Sequence, residues 1–393
     1  MQIDLGDLGF DEGGYLLVKQ ALRRLSPGHE IVVTGCAAAL DVHLESWCRA
    51  EGHAVRACED GGRLRAVVTR GTAEQDRWSG SERAGAPEKV VEHAPRTWGL
   101  AARGARVEAG VPEFQFGLVD KIEVWSVDAA RIYAQAVAAQ WDPKTAIPWD
   151  AEFDLPEEVE DAVIQIMTYL IENEMAALVV PSRFIAQLHP HFREVMQVLA
   201  VQAADEARHI EVFTRRALLK RRELGLSTVG GQASLKTLVD EPDFATASFL
   251  LSVLGEGTFL SLLWFIEHYA PDPVTAAVAR LAAQDEARHV AFGLAHLREH
   301  IAGEPGLLAR LADAVQRRHD VLRHTAGLNA EVFDALVLMA AGSWQLDDLR
   351  RGTERVRQLI ADMHTARKTR LVRLGFAEEQ AGALSGLHTR NFM

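Results

Sequence analysis

The pentapeptide Asp-Glu-Ala-Arg-His occurs at residues 205–209 and again at residues 285–289, an offset of 285 − 205 = 80. Both copies sit inside long stretches with helical spacing of apolar residues, Phe192 to Leu219 and Pro273 to Leu297. On an α-helix, positions three apart share a face about one turn apart. Glu206 and His209 therefore project together, as do Glu286 and His289. A carboxylate and an imidazole so spaced suit a first-row metal ion without any thiolate. One such pair is a weak signal, but two in one bundle require an inward carboxylate from each of two further helices.

The chain supplies both. Glu256 lies in the apolar run SFLLSVLGEGTFLSLLWFIEHY (248–269), and Glu174 in MTYLIENEMAALVV (167–180). The separations are similar, 286 − 256 = 30 and 206 − 174 = 32. Each fits a helix, a turn at Pro190 or at Pro271 and Pro273, and an antiparallel return. Glu172 is the alternative ligand. The apolar stripe Val163, Met167, Leu170, Ala177 passes through position 174 and not 172, which favours Glu174. A carboxylate buried in such a helix is costly unless compensated, and a metal ion compensates it.

The expected metal ligands are therefore Glu174, Glu206, His209, Glu256, Glu286 and His289, with no catalytic residue beyond them. Asp205 and Asp285 are placed to hold the second ring nitrogen of the opposite motif's histidine, and Arg208 and Arg288 to neutralise those aspartates. Tyr169 reads as structural, with a radical role as its alternative. Phe184, Phe213, Phe259, Trp264, Phe265 and Phe292 read as core, with one or two near Glu174 or Glu256 lining a substrate cavity. The other histidines, His388 among them, read as surface or packing residues.

The paired DExRH helices resemble the ferritin-like di-iron carboxylate superfamily over about residues 116 to 300. The resemblance implies two iron ions, held by four carboxylates and two histidines, with O2 as co-substrate. Manganese–iron occupancy stays open. Ala282 stands where arylamine N-oxygenases of this superfamily add a third histidine.

Working outward, residues 1–72 read as a small α/β domain of order β-α-β-α-β-β. The stretches LGDLGFDEGGYLLVKQALRRLSPGHEIVVTG (5–35) and WCRAEGHAV (47–55) resemble the TusA/SirA sulfur carriers. That family carries a Cys-Pro ahead of its first helix, where this chain has Phe10, Asp11 and Glu12. A docking or dimerisation role is the expectation, with a homodimer as the assembly. Residues 73–115, rich in Gly, Arg, Glu and Ala, read as a linker partly ordered by the packing of Trp78 and Trp98. Residues 116–393 read as a ferritin-like four-helix bundle with extra C-terminal helices, making the fold mainly α. Helix breaks are expected at proline and glycine positions including Pro181, and the tail LSGLHTRNFM (384–393) is expected to dock.

Of the 393 residues, 48% are hydrophobic and 25% charged, as in an ordinary globular chain. The formal net charge of −13 disfavours nucleic acid and anionic membranes. The opening MQIDLGDLGF lacks the pattern of a secretory signal, and no uninterrupted apolar run reaches the roughly 20 residues of a membrane span. Three cysteines, Cys36, Cys48 and Cys58, suggest reduced thiols in the cytoplasm and are too few for a four-cysteine cluster. With no flavin or nicotinamide signature, electrons are expected from an external ferredoxin or reductase. The leading expectation is an O2-activating di-iron oxygenase or oxidase hydroxylating, N-oxygenating or desaturating a small organic molecule. The alternatives are a ferroxidase or iron-handling protein, and a non-enzymatic metal-dependent interaction module.

Overall fold

Alternation along Ile31, Val33, Ala66 and Val68 puts four apolar side chains on one face of a sheet, and all four are buried. The computed structural model describes residues 1–60, 63–221, 223–325 and 330–388. The contacts among them form two units, Met1–Pro87 with Arg103–Pro112 and Glu88–Ala102 with Glu113–Met393. The C-terminal residues 389–393, for which docking is expected, lie outside the described residues.

The first unit runs β1 (Gln2–Asp4), α1 (Tyr15–Arg23), β2 (Glu30–Gly35), α2 (Leu40–Ala50), β3 (Ala54–Asp60) and β4 (Arg63–Thr69). This is the β-α-β-α-β-β order read from the sequence. The sheet order is β1-β2-β4-β3, with β1 parallel to β2 and both other pairs antiparallel. Val18 and Leu22 of α1 and Leu44 and Cys48 of α2 share one apolar cluster with the sheet's buried face. A π-helical turn, Phe10–Gly14, enters α1, and Gly13 at φ +111° makes it possible.

The stretch 73–115 is divided between the units. α3 (Ala73–Arg77), β5 (Glu82–Arg83) and its partner β6 (Arg106–Val107) belong to the first. Residues 88–102 belong to the second, where buried Trp98 packs on His191 at 5.3 Å between centroids. Its apolar residues Ala84, Ala94, Trp98 and Val107 are buried one at a time. No periodicity can reveal such anchoring.

The second unit contains α4 (Lys121–Val124), α5 (Ala129–Ala138), α6 (Glu157–Ile185), α7 (Arg193–Ala217), α8 (Val229–Val239) and α9 (Phe244–Ser248). A π-helical segment, Phe249–Glu256, continues into α10 (Gly257–Tyr269), followed by α11 (Pro273–Gly303). α6 packs on α7, the rod from α9 to α10 packs on α11, and α7 packs on α11. These four rods make the bundle. α12 (Leu307–Leu322), α13 (Ala330–Ala341), α14 (Leu346–Leu374) and α15 (Glu378–Leu387) complete the mainly α fold, with α13 against α6 and α14 against α10.

Pro181, expected to break a helix, lies inside α6. Proline in a helix interior costs about 3 kcal/mol. Val180, Pro181 and Phe184 are all buried around it, and that packing offsets the loss. α6 and the rod Phe244–Tyr269 are long and apolar enough to cross a membrane, yet both are mostly buried among the other helices. They are the rods that carry Glu174 and Glu256.

One buried arginine ties three rods. Arg216 of α7 reaches Glu160 of α6 at 2.7 and 3.0 Å and Asp272 at 2.8 Å. Asp272 in turn caps α11 by accepting from the Thr275 amide at 2.8 Å, and Pro273 follows as the first helical residue.

Candidate metal centre

Glu174 comes from α6, Glu206 and His209 from α7, Glu256 from the end of the π-helical segment, and Glu286 and His289 from α11. All six are buried to 5% exposure or less. Their donor atoms form two groups, each within 4.8 Å across: Glu174, Glu206, His209 and Glu286, and Glu206, Glu256, Glu286 and His289. Glu206 and Glu286 belong to both groups, so each could serve two ions. Each group then has one further carboxylate and one imidazole of its own. Glu172 is only half-buried and lies outside both groups.

Every one of the six carries a buried polar atom with no hydrogen-bond partner. These are Glu174 Oε1, both oxygens of Glu206, His209 Nδ1, Glu256 Oε2, Glu286 Oε2 and His289 Nδ1. Buried polar atoms are ordinarily satisfied, so orphans on all six residues of one cluster give a donor set that could hold metal ions. Four carboxylates carry −4 and two divalent ions +4, so the set fits two metal ions in charge as well as in donor type.

The backing residues sit where the repeat puts them. His289 Nε2 lies 3.3 Å from Asp205 Oδ2, and His209 Nε2 lies 3.2 Å from Asp285 Oδ2. Each aspartate thus holds the histidine of the other copy and turns its Nδ1 to the cluster. Arg208 bonds Asp205 and reaches Asp285 at 2.8 Å, while Arg288 bonds Asp285. Two arginines balance two aspartates.

Three contributors carry no motif. Gln202 Nε2 donates to Glu256 Oε1 at 2.7 Å, orienting that carboxylate. Gln140 Nε2 donates to Asp205 at 2.8 Å, and Trp141 Nε1 donates to Asp285 at 2.8 Å. The Arg208 guanidinium stacks over Trp141 at 4.5 Å. Gln202 has a weak sequence signal, as the polar residue one turn before Glu206 on an apolar face. Gln140 and Trp141 have none.

Burial shifts the titrations in opposite directions. Burial, then the charge of Glu206, pushes Glu174 well above the usual carboxylate range. Burial, then Glu286, does the same to Glu256. Burial also opposes charge on Glu206, but the imidazoles of His289 and His209 hold it well below that range. Burial lowers His209 and His289, but Glu174 on the one and Glu206 on the other raise both well above the ordinary imidazole value. Without metal the cluster keeps protons that bound cations would expel.

A cavity of about 20 Å³, room for about one water, touches Glu174, Glu256 and Glu286. Ala177, Leu238, Leu251 and Phe259 give it apolar walls, so Phe259 is the expected aromatic at the cavity. Tyr169 is buried behind it, stacked on Phe259 at 5.9 Å, and burial pushes its phenol well above the ordinary value.

No family model and no curated relative matches the chain. Among solved structures it is similar to an R2-like ligand-binding oxidase from Sulfolobus acidocaldarius, at 18% identity over 65% of this chain and 94% of that one, TM-score 0.43. An R2-like ligand-binding oxidase with aerobically reconstituted metal cofactor after photoconversion is similar at 16% identity, over 66% and 90%, TM-score 0.43.

Proposed function

We propose that this chain is an O2-activating non-haem di-iron oxygenase or oxidase acting on a small organic molecule with electrons supplied from outside. The observation that carries the reading is the convergence of orphaned donor atoms from all six buried residues on two overlapping groups. Glu174, Glu206, His209, Glu256, Glu286 and His289 would hold the two ions, which when bound supply the oxidising chemistry.

The chain's own residues set the conditions. Asp205 and Asp285 fix the ring orientation of His289 and His209. Gln202 holds one oxygen of Glu256 and leaves the other for a cation. Ala177, Leu238, Leu251 and Phe259 keep bulk water from the carboxylates. Hydroxylation, N-oxygenation and desaturation are the reactions that such a centre would serve. The free thiols of Cys36 and Cys48 accord with a reducing cytoplasm, and the N-terminal unit is assigned a docking or dimerisation role in a homodimer.

The test is anaerobic loading with ferrous ion, then exposure to O2, with metal content, optical spectra and O2 uptake followed together. About two irons per chain and O2 uptake matched by an organic product are expected. Full metal retention by both Glu206→Ala and Glu286→Ala would sink the reading. Mineral growth beyond two irons per chain would replace it with iron storage, and tight binding without O2 uptake with a metal-dependent interaction module.

A further inference from the structure

A second buried cluster has the opposite charge. Arg367 and Arg370 of α14 and His388 at the end of α15 are 1%, 8% and 2% exposed. Arg367 donates to Thr258 Oγ1 at 3.2 and 3.3 Å and to the Ser385 carbonyl at 2.9 Å. Arg370 Nε donates to the Val253 carbonyl at 2.9 Å, and its guanidinium lies flat against Gly257, where any Cβ would collide with it.

Arg370 Nη2 and both ring nitrogens of His388 are buried without a hydrogen-bond partner. No carboxylate among the described residues bears on Arg367, Arg370 or His388; the charges that do belong to other basic groups, Arg370, Arg373, Arg318, His319 and Arg367. Burial pushes Arg367 down to about 9 and Arg370 to about 10. Buried cations without counter-charge are costly, and an anion relieves the cost.

The cluster's supports share helices with the metal-side cavity. Glu256 touches the cavity and Thr258, two residues on, holds Arg367. Leu238 of α8 lines the cavity and Ser234, one turn earlier, accepts from Arg318. Asn173 of α6 lines it and Tyr169, one turn earlier, bears electrostatically on Arg318. One helical turn spans about 5.4 Å. Thr258, Ser234 and Tyr169 thus each lie within about one helical turn of a residue that lines the cavity.

We propose that Arg367, Arg370 and His388 bind the carboxylate of a small organic acid. On the functional reading above, that acid is the substrate, and its other end faces Glu174 and Glu256. The free Nη2 of Arg370 supplies one charge-assisted donor to the carboxylate, and the His388 ring supplies a further one.

Calorimetry on the full chain, iron-loaded under anaerobic conditions, tests this with benzoate, its neutral counterpart benzamide, and inorganic phosphate as probes. Benzoate is expected to bind at least tenfold more tightly than benzamide. Arg370→Met is expected to abolish that ratio at unchanged iron content, and Arg370→Lys to restore part of it. Equal affinities in the wild-type chain, which need no variant, overturn the proposal. So does phosphate binding more tightly than benzoate, or benzoate binding only after residues 389–393 are deleted, since the chain's own C-terminus would then be the counter-charge. Iron content is read in the same samples. Its loss would sink the metal-centre reading while leaving the benzoate ratio intact.

Discussion

Asp205 and His289 stand 84 positions apart and meet at 3.3 Å, so each copy of the repeat orients the imidazole of the other. Asp205→Asn and Asp285→Asn are each expected to weaken metal binding about 10- to 100-fold without emptying the site. Competitive titration with a chelator of known affinity measures this. Unchanged affinity in both variants would show that the crossed contacts do not position the imidazoles.

The two donor groups share Glu206 and Glu286 but not Glu174 or Glu256. Removing a shared carboxylate should lower occupancy of both metal positions, whereas Glu174→Ala should chiefly affect one. Glu172→Ala should retain the full complement. Metal stoichiometry by elemental analysis separates these outcomes, and a metal deficit in the Glu172 variant equal to that of Glu174→Ala would contradict the assignment.

Acid should strip the metal and steady the empty protein. Glu174, Glu256, His209 and His289 all have folded values above their ordinary ones. Such groups contribute stability below the unfolded values, about 4.3 for Glu and 6.5 for His, and lose it as pH rises through the folded values. The metal-free Tm is therefore expected to fall between about pH 5 and 8. Glu206, Asp205 and Asp285 are shifted down, so their contribution fades only at pH below that window. With metal present the trend reverses, because cations bind the deprotonated donors. Calorimetric scans with and without chelator read both slopes, and a metal-free Tm that climbs across the window would refute the proton inventory.

Arg216→Met should unfold the bundle before it disturbs the site. It leaves Glu160 and Asp272 buried without their cation, a loss of about 3–5 kcal/mol. Tm should drop sharply while metal stoichiometry at low temperature stays unchanged. A Tm within about a degree of wild type would mean that the clamp is replaceable by packing.

The centre was legible because its signal is contiguous and doubled. Glu206, His209, Glu286 and His289 need only the three-residue spacing of a helix, and Glu174 and Glu256 only their isolation among apolar neighbours. Gln140 and Trp141 were not legible, because they arrive just past the end of α5 and meet the aspartates through tertiary structure alone. Of residues 73–115, the packing of Trp98 was legible from its bulk, whereas the burial of Ala84, Ala94 and Val107 was hidden for the same reason. Pro181 misled because local propensity gave way to packing.

The segment Phe249–Glu256 is wound with hydrogen bonds five residues apart instead of four. The rod therefore holds two angular phases: one belongs to α9 and the residues beside Leu251, the other to α10 and Thr258. Glu256 sits at the seam between them. Removing one residue upstream of it would let the rod rewind as a plain α-helix and swing Leu251 and Ser252 round the axis while α10 kept its place. The surplus residue thus acts as a setting screw, fixing which side chains the wall presents to the carboxylates independently of what holds Glu256 itself.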